Sequence, residues 1–248
     1  MQVVKNSGRL FVCTDLHGNI HTLHKMLNKV GFDVTQDLLV NCGDLVDRGP
    51  DSADTLKFFL YDKTGAYLTV RGNHDQFLAD FAHKSEPSGN WVYFNGGVWA
   101  LNEERHVLKT YAEDVLKLPV HLSVDFHGNR YAFVHAEVPA RFNTWEDFIS
   151  AMAEDTSGVL EKAAMWGRDI IYGQPCKALP DVKYVFHGHT VVDRPTIINN
   201  RVYLDLGYVF KRLLCLIEIT PEGNLIAHFR DRYADRVFTK GETFIIAE

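Results

Sequence analysis

The sequence predicts an α/β fold organised on a parallel sheet. Two observations carry this: from Arg9 to Arg71 short apolar runs alternate with segments of helical periodicity, and each run stops at a cluster of Asp, Asn, His and Gly. Ligands of such sheets bind in the crevice outside the carboxyl ends of the strands, so the same clusters mark where function is expected.

The runs "RLFVCT" (9–14), "DLLVNC" (37–42) and "YLTVR" (67–71) are rich in β-branched or large residues and read as buried strands. Between them, Ile20, Leu23, Met26, Leu27 and Val30, then Leu56, Phe59 and Leu60, recur at helical spacing. Gly31 and Gly65 are expected as left-handed caps of these two helices. Strand, helix, strand, helix, strand implies right-handed crossovers. From Gln76 to Leu118 the chain reads as mostly helical, broken at "KSEPSGN" and "NGG". "VHLSVDF" and "RYAFVHA", joined by "HGN", signal a hairpin. A helical region at "TWEDFISAMAEDTSGVLEKAAMW" follows, and strands return in "KYVFHG", "RVYLDLG", "RLLCLIEI" and "NLIAHF". With no repeat or linker, residues 1–248 are expected to form one domain, in which 231–248 is an edge strand or a loose tail.

The 248 residues are 46% hydrophobic, enough for a sizeable core. A net charge of -6 offers no general attraction for nucleic acid or anionic membrane, and neither partner is expected. No apolar stretch has the length of a signal peptide core or a spanning helix, so the expected location is cytoplasmic. Cys13, Cys42, Cys176 and Cys215 lack C-x-x-C spacing and read as reduced thiols.

The polar ends of the early strands are "TDLHGN", "GDLVDRGP" and "RGNHD". If the first strand stays extended, Asp15 and His17 point the same way while Leu16 faces the core. Gly18 then ends the strand, which leaves Asn19 as a helix cap and His21 and His24 as exposed helix residues. Asp44, after Gly43, is placed to bridge two ions, and Asn73 offers a neutral oxygen. With Asp15 and Asp44 as the only carboxylates, two divalent ions keep a net charge of about +2, which attracts a phosphate dianion. His135 ends "YAFVHAEVP"; in "YVFHGHT", spacing alone allows either His187 or His189. Three oxygens and three imidazoles suit ions such as manganese, iron or zinc.

In order, "TDLHGN", "GDLVDRG", "RGNHD", "VHAE" and "HGHT" resemble the five signature blocks of the phosphoprotein phosphatases within the calcineurin-like metallophosphoesterases, over roughly Arg9 to Gly207. "NWVYFNGGVW" and "MWGRDI" further resemble blocks of the compact bacterial and phage lambda-type serine/threonine phosphatases. The resemblance implies a four-layer α/β/β/α sandwich with two mixed sheets. It implies two divalent ions, manganese first with iron or zinc as alternatives, one held by Asp15, His17 and Asp44 and the other by Asp44, Asn73, His135 and His189. That choice selects His189 over His187. It also implies His74 as general acid oriented by Asp47, Arg48 and Arg168 on the phosphate oxygens, and Arg71 in support.

The expected activity is hydrolysis of phosphomonoesters, first of phosphoserine or phosphothreonine proteins and then of phosphotyrosine or small phosphoesters, by a metal-bridging hydroxide. The sequence departs from the family pattern at Thr14 (usually Gly), Asp75 (commonly Glu) and Glu137 (commonly Gly). "GNHD" also resembles symmetrical dinucleoside-tetraphosphate hydrolases, which makes a dinucleoside-polyphosphate hydrolase the alternative enzyme, with Trp91, Tyr93, Phe94 and Trp99 either stacking bases or packing a core. A non-catalytic phosphate-binding module is the third reading; it predicts losses among the ligands, His74 or the arginines, and none is lost.

Overall fold

The structure is a computed structural model and describes residues 2–5, 8–210, 212–232, 237–240 and 245–247. The strands are β1 (Gln2–Lys5), β2 (Leu10–Cys13), β3 (Leu38–Asn41), β4 (Tyr67–Thr69), β5 (His121–Phe126), β6 (Asn129–Val134) and β7 (Tyr184–His187). They continue with β8 (Thr196–Ile198), β9 (Arg201–Tyr203), β10 (Leu213–Ile219), β11 (Leu225–Asp231), β12 (Val237–Lys240) and β13 (Ile245–Ala247). The helices are α1 (Ile20–Lys29), α2 (Ser52–Leu60), α3 (Asn73–Ala79), α4 (Arg105–Val115), α5 (Trp145–Glu154) and α6 (Val159–Trp166).

One sheet runs β12-β11-β10-β2-β3-β4 and the other β1-β5-β6-β7-β9-β8-β13, and both mix parallel and antiparallel pairs. Strand alternation builds the layers. Leu10, Val12 and Val40 face Phe133, Phe186 and Val202 of the other sheet, whereas Phe11, Cys13 and Leu39 face outward onto α1, α2, α3 and α4. On the far side Ala132, Val134 and Val185 pack under Trp145 and Phe148 of α5 and Ala164 of α6. The central strands are therefore covered on both faces, which is why they read as continuous apolar runs. Helix, sheet, sheet and helix make the expected four layers.

The parallel neighbours β2, β3 and β4 present their carboxyl ends on one edge, and β6 and β7 do the same in the facing sheet. Gly31 caps α1 as expected: its φ is 63°, its N–H donates to Asn28 O and that of Phe32 to Leu27 O, a Schellman pair. Gly65 does not cap α2. That helix ends at Leu60, and Gly65 closes a separate turn in which its N–H donates to the Asp62 carboxylate at 2.8 Å. His127 and Gly128, with φ of 46° and 78°, form the two-residue turn of the β5–β6 hairpin.

The helical region after Thr144 is split at Gly158, with φ of 72°. Strands β1, β8, β12 and β13 answer to no definite apolar run. Of residues 231–248, β12 and β13 lie at the edges of the two sheets, while 233–236, 241–244 and 248 lie outside the described residues. All four cysteines carry free thiols, and no helix among the described residues is long and apolar enough to cross a membrane.

Candidate active site

Strand β2 ends before the site begins. Asp15 and His17 have φ of 49° and 43°, so they reach the site by left-handed turns and not by the strand alternation expected from the sequence. The chain instead runs beside the loop after β3, with Asp15 N–H donating to Gly43 O, His17 N–H to Asp44 O and Gly18 N–H to Leu45 O. Leu16 is buried as expected. Of the eight non-glycine residues with positive φ among those described, six are Asp15, His17, Asp44, Asp47, Arg48 and His189. Strained conformations persist where surrounding contacts over-determine them, and functional sites are where they cluster.

Glycines make that close packing possible. A Cβ on Gly72 would lie 2.3 Å from Asp44 Oδ1, and one on Gly188 would lie 2.0 Å from Asp15 Oδ2. With both glycines bare, the loops after β2, β3, β4 and β7 close on a common centre.

Asp44 stands in the middle of it. Its Oδ2 lies 3.6 Å from His17 Nε2 and its Oδ1 lies 3.4 Å from His135 Nε2. Each imidazole donates from Nδ1 to a carbonyl, His17 to Val46 O at 2.8 Å and His135 to Cys42 O at 2.7 Å, which leaves an Nε2 lone pair aimed at the centre. The Nε2 of His135 faces Asn73 Oδ1 at 2.9 Å, two acceptor atoms opposed. His189 has a buried Nε2 without a hydrogen-bond partner among the described residues, and its backbone N–H donates to Asp15 Oδ2 at 3.0 Å.

Among the described residues, two groups of three side chains bring ligand atoms within 4.8 Å of one another: His17, Asp44 and His74, and Asp15, Asp44 and His135. Asp44 is common to both. The grouping places Asp15 beside His135 and puts His74 beside His17, which differs from the division implied by the resemblance. His187 joins neither group; it is buried against the Tyr203 ring and donates from Nδ1 to Val134 O. His21 is exposed, and His24 is half-buried against Phe58. Asn19 sits at the N-cap of α1 without capping it, its amide donating instead to Leu16 O and His17 O.

Burial pushes the carboxyls of Asp15 and Asp44 well above their usual range; the charge of Asp205 adds to the first and that of Asp75 to the second. Burial likewise pushes His17 well below its ordinary value and His189 down to about 2. Buried carboxylates crowded together and imidazoles unable to take a proton are what a divalent cation satisfies, because it binds the deprotonated form of both. The donors fit such ions.

Beside this centre His74 donates from Nδ1 to Asp47 Oδ2 at 2.7 Å. Arg48 is exposed, its Nη1 donates to His17 Nε2 at 2.7 Å, and its guanidinium lies over the Phe210 ring. Arg168 is half-buried beside His189, and its side chain makes no hydrogen bond or ion pair among the described residues. Arg71 is buried and already engaged, paired with Glu161 and bonded to Leu116 O.

Three contributors were missed in the sequence. Asp205, buried beside Asp15, offers only a single carboxylate in "RVYLDLG" as a signal. Trp91 and Trp99 donate their indole N–H groups to Asp47, a long-range contact that no local pattern announces, while Tyr93 and Phe94 are exposed.

Residues 8–193 match the calcineurin-like phosphoesterase family, and the chain belongs to it. It is a metallophosphoesterase; the family implies divalent metal ions, and the centre described holds candidate ligands for them. Within the family the likeness is to bacterial protein phosphatases. The chain is 33% identical over 218 residues, 87% of its length and 94% of the relative's, to serine/threonine-protein phosphatase 1 of Salmonella typhimurium. A shorter match, 44% over 77 residues, covers 31% of the chain and 28% of a symmetrical bis(5'-nucleosyl)-tetraphosphatase of Ectopseudomonas mendocina. The fold is similar to that of a cold-active protein-tyrosine phosphatase of a psychrophilic Shewanella species, with a TM-score of 0.64 at 15% identity, covering 96% of this chain and 81% of that one.

Proposed function

We propose that the protein is a phosphoprotein phosphatase that hydrolyses phosphoserine and phosphothreonine, with phosphotyrosine as a further substrate, using two divalent ions of which manganese is the first candidate. One observation carries the binuclear reading: the Asp44 carboxylate stands between the Nε2 atoms of His17 and His135, within 3.6 Å of each. On this reading Asp15, His17 and Asp44 hold one ion, and Asp44, Asn73, His135 and His189 the other. Bound there, the ions would polarise the phosphoryl group and bring the pKa of a water towards neutrality.

The chain's own residues supply the rest. The His17 lone pair serves one partner at a time, so a ligand role for His17 frees the Arg48 guanidinium for the phosphate oxygens. Arg168, whose side chain has no hydrogen-bond or ion-pair partner among the described residues, contributes a second set of charge-assisted donors. His74, fixed by its bond to Asp47, presents Nε2 to the leaving oxygen and protonates it. Burial, with the charges of Arg48 and His135, holds His74 down to about 2. A phosphate dianion beside Nε2 supplies the negative charge that draws the second proton onto the ring. Free thiols support a reducing, cytoplasmic location.

The test is a phosphopeptide panel set against a dinucleoside tetraphosphate, with metal analysis of the purified protein. Phosphopeptide turnover that disappears on chelation and returns with manganese is expected. Preferential cleavage of the dinucleotide would replace this reading by the nucleotide hydrolase, and turnover surviving complete metal removal would end it.

A further inference from the structure

We propose that Trp99, together with Trp91, is a positioning residue for the general acid, acting on His74 through Asp47; the proposal rests on the role of His74 given above. Asp47 is fully buried, and its carboxylate takes three side-chain donors. His74 Nδ1 reaches Oδ2 at 2.7 Å, Trp99 Nε1 reaches Oδ1 at 2.7 Å, and Trp91 Nε1 lies across both oxygens at 2.9 and 3.0 Å. The indoles meet edge to face, with ring planes at 80°, so they grip the carboxylate from two directions. An indole is a donor only, and its N–H has no other role at this point.

The segment around them is built for this grip. Gly97 lies flat on the Trp91 indole, where a Cβ would come within 2.6 Å of Nε1. Gly96, with φ of 87°, lies against Arg48 and accepts its backbone N–H at 3.1 Å. The Asp47 N–H is held by Ser52 Oγ, and Asp47 itself sits at φ of 76°. Trp99 is only half-buried and could leave its N–H in water; it spends that donor on Asp47 instead.

The consequence is orientational. With Oδ1 occupied by Trp99 and Trp91 shared, the carboxylate plane is fixed and a lone pair of Oδ2 points at His74 Nδ1. That keeps a proton on Nδ1 and commits Nε2 to the leaving group. As the bond from phosphorus to the ester oxygen breaks, its electron pair stays on that oxygen, which takes the proton from Nε2. Water's oxygen bonds to phosphorus, and the proton released from that water restores His74. Loosening the carboxylate impairs proton delivery and little else.

The variant Trp99→Phe keeps the aromatic wedge and removes one N–H. Proton delivery matters for an alkoxide leaving group and hardly for p-nitrophenoxide, so two substrates separate positioning from packing. We expect kcat on a phosphoserine peptide to fall about tenfold, and on p-nitrophenyl phosphate by no more than about twofold, with KM, metal content and melting temperature close to the parent's. His74→Asn should show the same substrate split more strongly, and Trp99→Phe added to it should cost nothing further. A uniform loss on both substrates, or no loss on either, while His74→Asn keeps its split, overturns the role of Trp99 and leaves that of His74 standing. If His74→Asn shows no split, the general-acid reading fails and the inference falls with it.

Discussion

The Asp75 carboxylate accepts the backbone N–H of Asp44 at 2.9 Å, and it accepts those of Leu45 and Gly72 at the same distance. One fully buried side chain thus ties the loop bearing the shared carboxylate to the start of α3, which carries Asn73 and His74. Asp75→Asn turns one acceptor oxygen into a donor facing backbone N–H groups. An unsatisfied buried N–H costs about 1 to 3 kcal/mol, and partners that orient ligands are worth about 10- to 100-fold in metal affinity. Titration calorimetry with manganese should show at least a tenfold weaker interaction, and thermal unfolding a lowered midpoint. Unchanged metal affinity would reduce Asp75 to a fold residue.

Gly72→Ala tests the close packing around Asp44 directly. The backbone of Gly72, with φ of -96°, suits any residue, so the substitution carries no conformational strain of its own. Its Cβ would nevertheless meet Asp44 Oδ1 at 2.3 Å and Asp44 N at 2.4 Å, and the second contact is backbone that cannot swing aside. Asp44 must shift, and both proposed ion sites share it. A drop of about 100-fold in kcat/KM is expected, because a displacement of about 1 Å at a reacting centre has that effect. Gly128→Ala is the comparison for steric contact, since nothing lies within 4 Å of its Cβ position, although its φ of 78° makes it strained; it should lower stability and leave kcat unchanged.

Acid should destabilise the protein through His121. Burial under Trp145 and Phe148 lowers its pKa from 6.5 to about 4. The folded protein keeps this ring neutral down to about 4, while the unfolded chain takes up its proton near 6.5. Between those values the unfolded state binds the extra proton, so stability is full above pH 6.5 and is lost as pH falls towards 4. Discounted for partial exposure, the loss is about 1 to 2 kcal/mol. Denaturant melts of the parent and His121→Gln across that window should differ in slope; parallel curves would remove His121 from the account.

The parts of the fold that could be read from sequence are those governed by burial. Leu38, Leu39 and Val40 form a strand because both faces are covered, and an unbroken apolar run announces it. Thr196 to Ile198 forms a strand because Asn199, with φ of 55°, turns it back onto β9, and a short stretch after a proline gives no comparable signal. The candidate site was legible as residue types at strand ends. Its geometry was not: Asp15 and His17 converge through left-handed backbone held by Gly43, Asp44 and Leu45, contacts about 30 residues away along the chain. "NGG" read as a break in helical pattern, yet Gly96 and Gly97 are there to let Arg48 and Trp91 approach.

Arg71 and Arg168 should separate cleanly when each is replaced by Ala. The resemblance implies Arg168 on the phosphate oxygens and Arg71 in support, and their surroundings differ. Arg71 has a side chain only 8% exposed, its guanidinium is taken by Glu161 and Leu116 O, and its backbone N–H donates to Pro119 O. It links the start of α3 to the end of α4 and to α6. Removing it breaks an ion pair between a buried arginine and a glutamate whose side chain is 41% exposed, and it strands a carbonyl, so stability should fall by about 1 to 2 kcal/mol. Arg168 holds no such structure together and lies beside His189, so its loss should leave the melting temperature unchanged while weakening inhibition by inorganic phosphate about tenfold or more, the scale of one charge-assisted contact. Phosphate inhibition constants and unfolding midpoints of the two variants decide it. A phosphate constant moved as far by Arg71→Ala as by Arg168→Ala would mean that Arg71 leaves Glu161 when substrate arrives, and that the ion pair is a resting arrangement of the site.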